Sequence, residues 1–333
     1  MGKRKIVEAV DKQERIKRRK GLGKLADLVI QPSTATRYEK ALKKFFAFLQ
    51  QQKQHIGDSH LAVDQQLSNY LEFLWEEVEL LSLAGDTISS VQHHQPSLRK
   101  RLSGAWRLYK AWQQRELPAR SPPFTIETLQ VLLGWLHSKS PPVALAVFLA
   151  FRCLLRTGEM LAVTARDIVI PANSFSGVLY LGDTKTSGRN PNAGMVNLTD
   201  PTLVCLLKAW KSTVSPHAAL IPWSSTKFRA LFEQGLVATN LQQYKLKPYS
   251  LRRGGATDQW LLTKNYAQVS HLGRWSSEKT LKIYIQDSVA LLTTLQFKPS
   301  PTQQHWARYW LDKCRVEPLS HRQKGGGSGR RLR

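Results

Sequence analysis

The sequence predicts a mainly α fold with a small antiparallel β-sheet, divided into two domains, and three observations carry that prediction. Apolar residues recur at helical spacing over residues 25–116. The run Leu117-Pro118-Ala119-Arg120-Ser121-Pro122-Pro123 then breaks the helical pattern three times. Beyond it, helical stretches flank three short runs of strand character. A chain of 333 residues, 42% hydrophobic and with ten Trp, eleven Phe and nine Tyr, has enough apolar material for two packed cores.

In the first domain, Ser33 and Thr34 suit the cap of a helix whose Tyr38, Leu42, Phe45, Phe46 and Leu49 share a face, with Lys40, Lys43 and Lys44 opposite. A second helix over 65–82 turns Leu67, Leu71, Leu74, Val78 and Leu81 inward and Glu76, Glu77 and Glu79 outward. Asp86 opens a shorter third helix. Pro96, suited to a first turn, starts a fourth through Leu98, Leu102, Ala105, Leu108, Tyr109 and Trp112. That fourth helix carries Arg99, Lys100, Arg101, Arg107 and Lys110 beside Trp106 and Trp112.

In the second domain, helices are expected over 125–138 and 142–157. Strands follow at Asp167–Ile170, Gly177–Leu181 and Met195–Leu198, and helices resume from Pro201. The division is a basic tail over 1–24, a helical domain over 25–116, a linker over 117–123, a second domain over 124–314 and a basic tail over 315–333.

Charge narrows the partners. Lys and Arg number 49 against 24 Asp and Glu, for a net +25. Residues 1–24 hold +7 and 315–333 hold +5, so the body between them keeps +13. Nucleic acid is the polyanion this balance favours. Lys43, Lys44, Arg99, Lys100, Arg101, Arg107, Lys110 and Arg253 are the candidate contacts to its backbone. The longest apolar run, Val143 to Phe151, stops at Arg152, far short of a membrane span. The basic N-terminus has no apolar core and does not read as a secretory signal. Its Arg15-Ile16-Lys17-Arg18-Arg19-Lys20 cluster fits nuclear import in a eukaryotic source, with cytoplasm or nucleoid expected otherwise. Three widely spaced cysteines, Cys153, Cys205 and Cys314, exclude a disulfide framework and a Cys-based zinc site. No phosphate-binding G-x-x-x-x-G-K-[ST] loop and no H-E-x-x-H pair occurs.

Four segments of the second domain place chemistry-bearing residues where regular elements end. The first is Leu154-Leu155-Arg156-Thr157-Gly158-Glu159, where Arg156 also has the i,i+3 spacing for a plain pair with Glu159. In the second, a strand runs into Gly182-Asp183-Thr184-Lys185-Thr186, putting Lys185 on the arm of a polar, Gly-rich hairpin. The third is Tyr249-Ser250-Leu251-Arg252-Arg253-Gly254-Gly255. With Ser250 as N-cap, it sets Tyr249 and Arg252 at the positive end of a helix, an anion site. The fourth, His271-Leu272-Gly273-Arg274-Trp275-Ser276-Ser277, leads through a short helix capped by Ser276 or Ser277 to Tyr284.

The order Arg156, Lys185, Tyr249-Ser-Leu-Arg252, Gly-Arg-Trp275 and Tyr284 resembles the tyrosine site-specific recombinase (phage integrase) family in its Cre-like form, over the whole two-domain architecture. The resemblance implies a C-shaped clamp on double-stranded DNA, built of a four-helix core-binding domain and a catalytic domain. It implies Arg156 and Arg252 as phosphate-binding arginines, Lys185 as the hairpin lysine, Trp275 at the His/Trp position, Tyr284 as nucleophile and Glu159 as the supporting acid. Tyr249 stands at the second-box position, where the family usually has His, and Arg253 where a second His is common. Neither ATP nor a metal is called for, and a homotetramer on two DNA sites is expected. The box Arg252-Arg253-Gly254-Gly255-Ala256-Thr257 resembles that of recombinases of eukaryotic mobile elements as well as of phage integrases.

The implied chemistry is strand cleavage and rejoining through a 3′-phosphotyrosyl bond, with Lys185 protonating the leaving 5′-oxygen. Two other readings stand beside it: a catalytically impaired, domesticated DNA-binding protein, and a type IB topoisomerase-like enzyme. The apolar spacing of Ala290–Leu295 and Trp306–Leu311 suits docking on a neighbouring protomer or packing on its own domain.

Overall fold

The structure, a computed structural model, describes residues 12–20, 23–116, 121–182 and 194–315. The chain divides into two compact units, Met1–Ala119 and Arg120–Arg333. No helix among the described residues is long and apolar enough to cross a membrane.

The first unit contains α1 (Lys12–Arg19), α2 (Pro32–Gln51), α3 (His60–Glu76), α4 (Leu81–His94) and α5 (Ser103–Arg115). Phe45, Leu67, Tyr70, Leu71, Leu74, Ile88 and Trp112 form its core, with the Phe45 and Tyr70 rings 5.2 Å apart. Pro32 occupies the first turn of α2, where a missing N–H costs nothing. No side chain of its own caps α5. Asp64 of α3 instead accepts from the Gly104 and Ala105 N–H groups at 2.8 and 2.9 Å, binding one helix start to another helix's flank.

Several details differ from the sequence reading. Phe46 is 46% exposed and Phe48 is buried in its place. The 65–82 helix is two helices, because the chain turns at Val78, left-handed at φ 56° and 87% exposed. Asp86 lies inside α4, where it receives Arg37 in a two-point ion pair. Pro96 begins a 3₁₀ turn ending at Leu98. Arg99, Lys100 and Arg101 therefore occupy the link before α5, with Lys100 at φ 63°, and only Arg107 and Lys110 lie on the helix.

The second unit opens with α6 (Ile126–Lys139), α7 (Pro141–Arg152) and α8 (Thr157–Ala162), then β1 (Ile168–Val169), β2 (Gly177–Tyr180) and β3 (Met195–Leu198). The strands form one antiparallel sheet in the order β1-β2-β3, with Ile168 opposite Leu179 and Gly177 opposite Leu198. Along β3 the residues alternate, Val196 and Leu198 inward and Met195 and Asn197 outward. There follow α9 (Pro201–Lys211), α10 (Ser225–Ala238), α11 (Ser250–Thr263), α12 (Tyr266–Gly273), α13 (Glu278–Lys282), α14 (Asp287–Gln296) and α15 (Pro301–Cys314).

Helix α7 is apolar nearly all round and runs through the middle of this core. At its C-terminus Arg152 bonds Asp200 at 2.6 Å and Asp258 at 3.2 Å, tying α7 to the start of α9 and the middle of α11. Helix α11 crosses α7 closely because of its glycines: a Cβ on Gly255 would lie 2.0 Å from the Phe151 carbonyl oxygen. Helix α15 packs on its own unit through Trp310, whose ring meets Phe148 at 5.5 Å.

Candidate active site

Arg252 heads the largest fully buried side chains of the described residues, at 1% exposure. A buried guanidinium is costly without partners. Nη1 donates to the Leu154 carbonyl and Nη2 to the Gly273 carbonyl at 2.6 Å, while Nε meets no acceptor among the described residues. Both carbonyls come from tight turns, with Leu154 at φ 51° and Arg274 at φ 59°. Burial, together with the charges of Arg156 and Arg274, pulls Arg252 down to about 10 against the pull of Glu159 and Tyr284. Three guanidiniums share one carboxylate, Glu159, in this cluster.

Arg156 does not continue a long helix. Helix α7 ends at Arg152, the chain turns at Leu154, and Arg156 becomes the N-cap residue of the short α8. Its backbone N–H donates to Glu159 Oε2 at 2.8 Å and its Nη1 to Oε1 at 2.6 Å, so the local i,i+3 pair is present. Glu159 is nevertheless shared. Arg274 Nη2 donates to Oε2 at 2.6 Å, and the Glu159 and Arg274 side chains are 6% and 5% exposed against 36% for Arg156. Burial works against the Glu159 charge, yet the Arg274 guanidinium and the Arg156 donors hold this carboxyl below its ordinary value.

Tyr284 follows α13 directly, its N–H bonded to the Leu281 carbonyl at 2.7 Å. Leu281 itself is buried with Leu154, Ala256 and Val269, and Trp275, Tyr284 and Ile285 pack against that cluster. The Gln286 N–H, bonded to Thr257 Oγ1 at 3.1 Å, ties the following residues to α11. The Trp275 ring meets the Tyr284 ring near edge-on at 4.8 Å, and the Arg252 guanidinium lies 4.3 Å from the first and 5.6 Å from the second. Gly273 permits this stack: a Cβ there would sit 1.7 Å from the Trp275 ring.

Tyr249, not Ser250, is the N-cap residue of α11, and Ser250 Oγ accepts from the Lys247 N–H instead. The Tyr249 hydroxyl contacts the Tyr284 hydroxyl. Burial and this bond to Tyr284 push Tyr249 up to about 12, so it is a neutral phenol at physiological pH.

The structure therefore brings together Arg156, Glu159, Tyr249, Arg252, Trp275 and Tyr284, contributed by α8, α11 and the turns flanking α12 and α13. Lys185 lies outside the described residues. Arg253, expected as a DNA-backbone contact, is instead 7% exposed, its guanidinium 5.6 Å from the Tyr249 ring and 5.5 Å from the Tyr284 ring. Lys43, Lys44, Arg99, Lys100, Arg101, Arg107 and Lys110 are exposed on the first unit, with Lys44 paired to Glu79 at 2.7 Å. The residue the sequence reading missed is Arg274. Its signal was a charged residue set between Gly273 and Trp275, at a helix end where an apolar motif gives no reason for one. No group of three or more His, Cys, Asp and Glu among the described residues could hold a metal ion.

A cluster of guanidiniums around one shared carboxylate, facing a phenol, can bind an oxyanion and place a nucleophile beside it. No protein-family model matches the sequence, and none of the curated proteins does. Solved structures do. A Tn1549 transposon integrase in complex with circular intermediate DNA aligns with a TM-score of 0.57 at 10% identity, over 85% of this chain and 98% of that one. The site-specific recombinase XerH, bound to a palindromic difH substrate, aligns with a TM-score of 0.53 at 14% identity, over 75% of each chain. A lambda integrase dimer bound to a COC′ core site gives 0.51 at 17% identity, over 83% and 95%. The likeness is one of fold: the chain has the tyrosine recombinase fold, mainly helical with a small antiparallel sheet.

Proposed function

We propose that this protein is a site-specific DNA recombinase that cuts and rejoins strands of double-stranded DNA through a covalent 3′-phosphotyrosyl intermediate. The observation that carries the reading is that Arg252 and Trp275 pack on the Tyr284 ring while Arg156 joins the same cluster through Glu159, which it shares with Arg274. The three solved structures compared above are bound to circular intermediate DNA, a difH substrate and a COC′ core site, and the +25 charge suits double-stranded DNA as partner.

In this mechanism the scissile phosphate sits between Arg156 and Arg252, whose planar forks take its non-bridging oxygens in a way that lysines would not. As the Tyr284 oxygen attacks phosphorus, its phenolic proton passes to solvent and charge builds on those non-bridging oxygens. Each arginine donor then lowers the barrier by about 2–4 kcal/mol. Trp275 holds the Tyr284 ring and offers its indole N–H to a phosphate oxygen. Lys185 protonates the departing 5′-oxygen. Attack by a 5′-hydroxyl of the partner strand reverses the step and frees Tyr284, so the bond energy is kept and neither ATP nor water enters. A tetramer on two sites lets strands exchange, with the exposed basic residues of the first unit gripping the backbone.

One observation favours a second reading. Tyr249 replaces the usual His and engages the Tyr284 hydroxyl, which fits a DNA-binding protein that has lost cleavage. The test is a suicide substrate: duplexes selected from a random pool for binding, nicked beside each candidate position. The wild-type chain should be trapped covalently and Tyr284→Phe should not. Absence of any adduct on every selected site, with binding intact, would leave the second reading.

A further inference from the structure

We propose that Arg274 is a positioning residue that divides Glu159, so that Arg156 keeps one edge of its guanidinium open for an oxyanion. This rests on the reading above that Arg156 and Arg252 hold the scissile phosphate.

Two physical costs argue that Arg274 is present for its side chain. Its backbone lies at φ 59°, a conformation glycine adopts freely and a residue with a Cβ does not. Its guanidinium is 5% exposed, and burial lowers its affinity for a proton against the pull of Glu159. What it gains is one strong partner, Glu159 Oε2 at 2.6 Å, and a weaker bond from Nη1 to the Leu272 carbonyl at 3.3 Å, while Nε has no acceptor among the described residues.

The consequence lies at Arg156. Glu159 Oε2 takes Arg274 and the Arg156 backbone N–H, which leaves Oε1 alone for the Arg156 guanidinium through Nη1. An Asp or Glu facing a free arginine prefers the two-point fork. Without Arg274, Oε2 keeps only the Arg156 backbone N–H, and its remaining acceptor capacity can turn to the Arg156 fork and neutralise it. With Arg274, the Arg156 guanidinium meets a single Glu159 oxygen through Nη1, and 36% of the Arg156 side chain remains exposed. The same turn serves the second arginine, since the left-handed step at Arg274 aims the Gly273 carbonyl at Arg252 Nη2. One residue thus sets both phosphate ligands, through Glu159 on one side and through its backbone on the other.

The test separates the two roles. Arg274→Gly keeps the turn and removes the side chain. Single-turnover cleavage of the nicked substrate should fall about tenfold or more with duplex affinity held within about twofold. Adding Glu159→Gln to Arg274→Gly should recover much of the rate, because no charge is left to mask Arg156; free guanidinium ion should do the same for the single variant. A purely structural Arg274 predicts the opposite, a double variant no better than the single one. Should Arg274→Gly not fold, Arg274→Lys, which offers Glu159 a point charge, must show an intermediate loss.

A second arm needs no cleavage. In the arginine side-chain NMR spectrum, inorganic phosphate should shift the Arg156 resonance in the wild type, about tenfold more weakly in Arg274→Gly, and again in the double variant. That pattern with no covalent adduct on any DNA would sink the recombinase reading and leave this inference standing. An unchanged phosphate response in Arg274→Gly, or none in the wild type, would overturn it.

Discussion

The phenolic oxygens of Tyr249 and Tyr284 are in hydrogen-bond contact, although 35 residues separate them in sequence. Tyr249 starts α11 and Tyr284 follows α13, so the bond reports how those two elements pack. Since Tyr249 is held neutral up to about 12, it cannot serve as a base in the neutral range. It can orient the Tyr284 hydroxyl, a contribution of about 1 kcal/mol. Tyr249→Phe should therefore still form the covalent adduct, about fivefold more slowly. Tyr249→His, which restores a group able to accept the proton, should cleave faster than the wild type at equal DNA affinity. Loss of all activity in Tyr249→His would refute the assignment.

Arg252 should not tolerate lysine. Its guanidinium spans the carbonyls of Leu154 and Gly273 and lies against the Trp275 ring. A single ammonium cannot reach both oxygens and stack as well. Arg252→Lys is expected to lose about 10²–10³ in cleavage rate and to unfold at lower denaturant. Because the charges of Arg156 and Arg274 oppose that of Arg252, inorganic phosphate should raise the melting temperature of the wild type, and Arg156→Gln should weaken that rise.

Glu159 gives the fold an acid-sensitive joint. Its folded-state value lies below the ordinary 4.5, so the folded protein binds its proton less readily than the unfolded chain does. The stabilisation is fully present above the unfolded value and is lost as pH falls through the folded one. The melting-temperature difference between wild type and Glu159→Gln should stay constant from neutral pH down to about 5 and close below it. A difference that widens with acid would contradict the Arg156–Glu159–Arg274 arrangement.

These relationships differ in how far they could be read from the sequence. The motif residues were legible because their types are unusual at element ends, and the sheet because three apolar runs alternate between turn signals. Element breaks inside apolar runs were not legible. Leucine spacing continues through Val78, and nothing in residues 142–157 marks Leu154, yet both take left-handed conformations. At Leu154 the reason is tertiary: its carbonyl bonds Arg252, ninety-eight residues away. Arg274 was hidden for the same reason, since its partner Glu159 lies 115 residues earlier. Local propensity carries no record of such contacts.

Gly273 should behave unlike Gly255 under the same substitution. A Cβ on Gly273 meets a side chain, the Trp275 ring, whereas a Cβ on Gly255 meets the backbone oxygen of Phe151. The ring can swing away, so Gly273→Ala should fold but lose the Trp275 stack on Tyr284 and Arg252. Cleavage should then drop with little change in melting temperature. Gly255→Ala forces α11 off α7 and should cost about 1–3 kcal/mol of stability, measured by urea unfolding.

The first unit's basic residues should reveal themselves through salt. If Arg101 and Arg107 each contact a phosphate, replacing either by alanine reduces the slope of log affinity against log salt by about 1, uniformly across DNA sequences. Lys44 provides the internal contrast. Its ammonium is already bonded to Glu79 at 2.7 Å, so DNA contact would have to displace that pair. Lys44→Ala should change the slope less than Arg101→Ala, and Glu79→Gln, which releases Lys44, should steepen it. Equal slopes for the wild type and all four variants would place the phosphate contacts elsewhere on the chain.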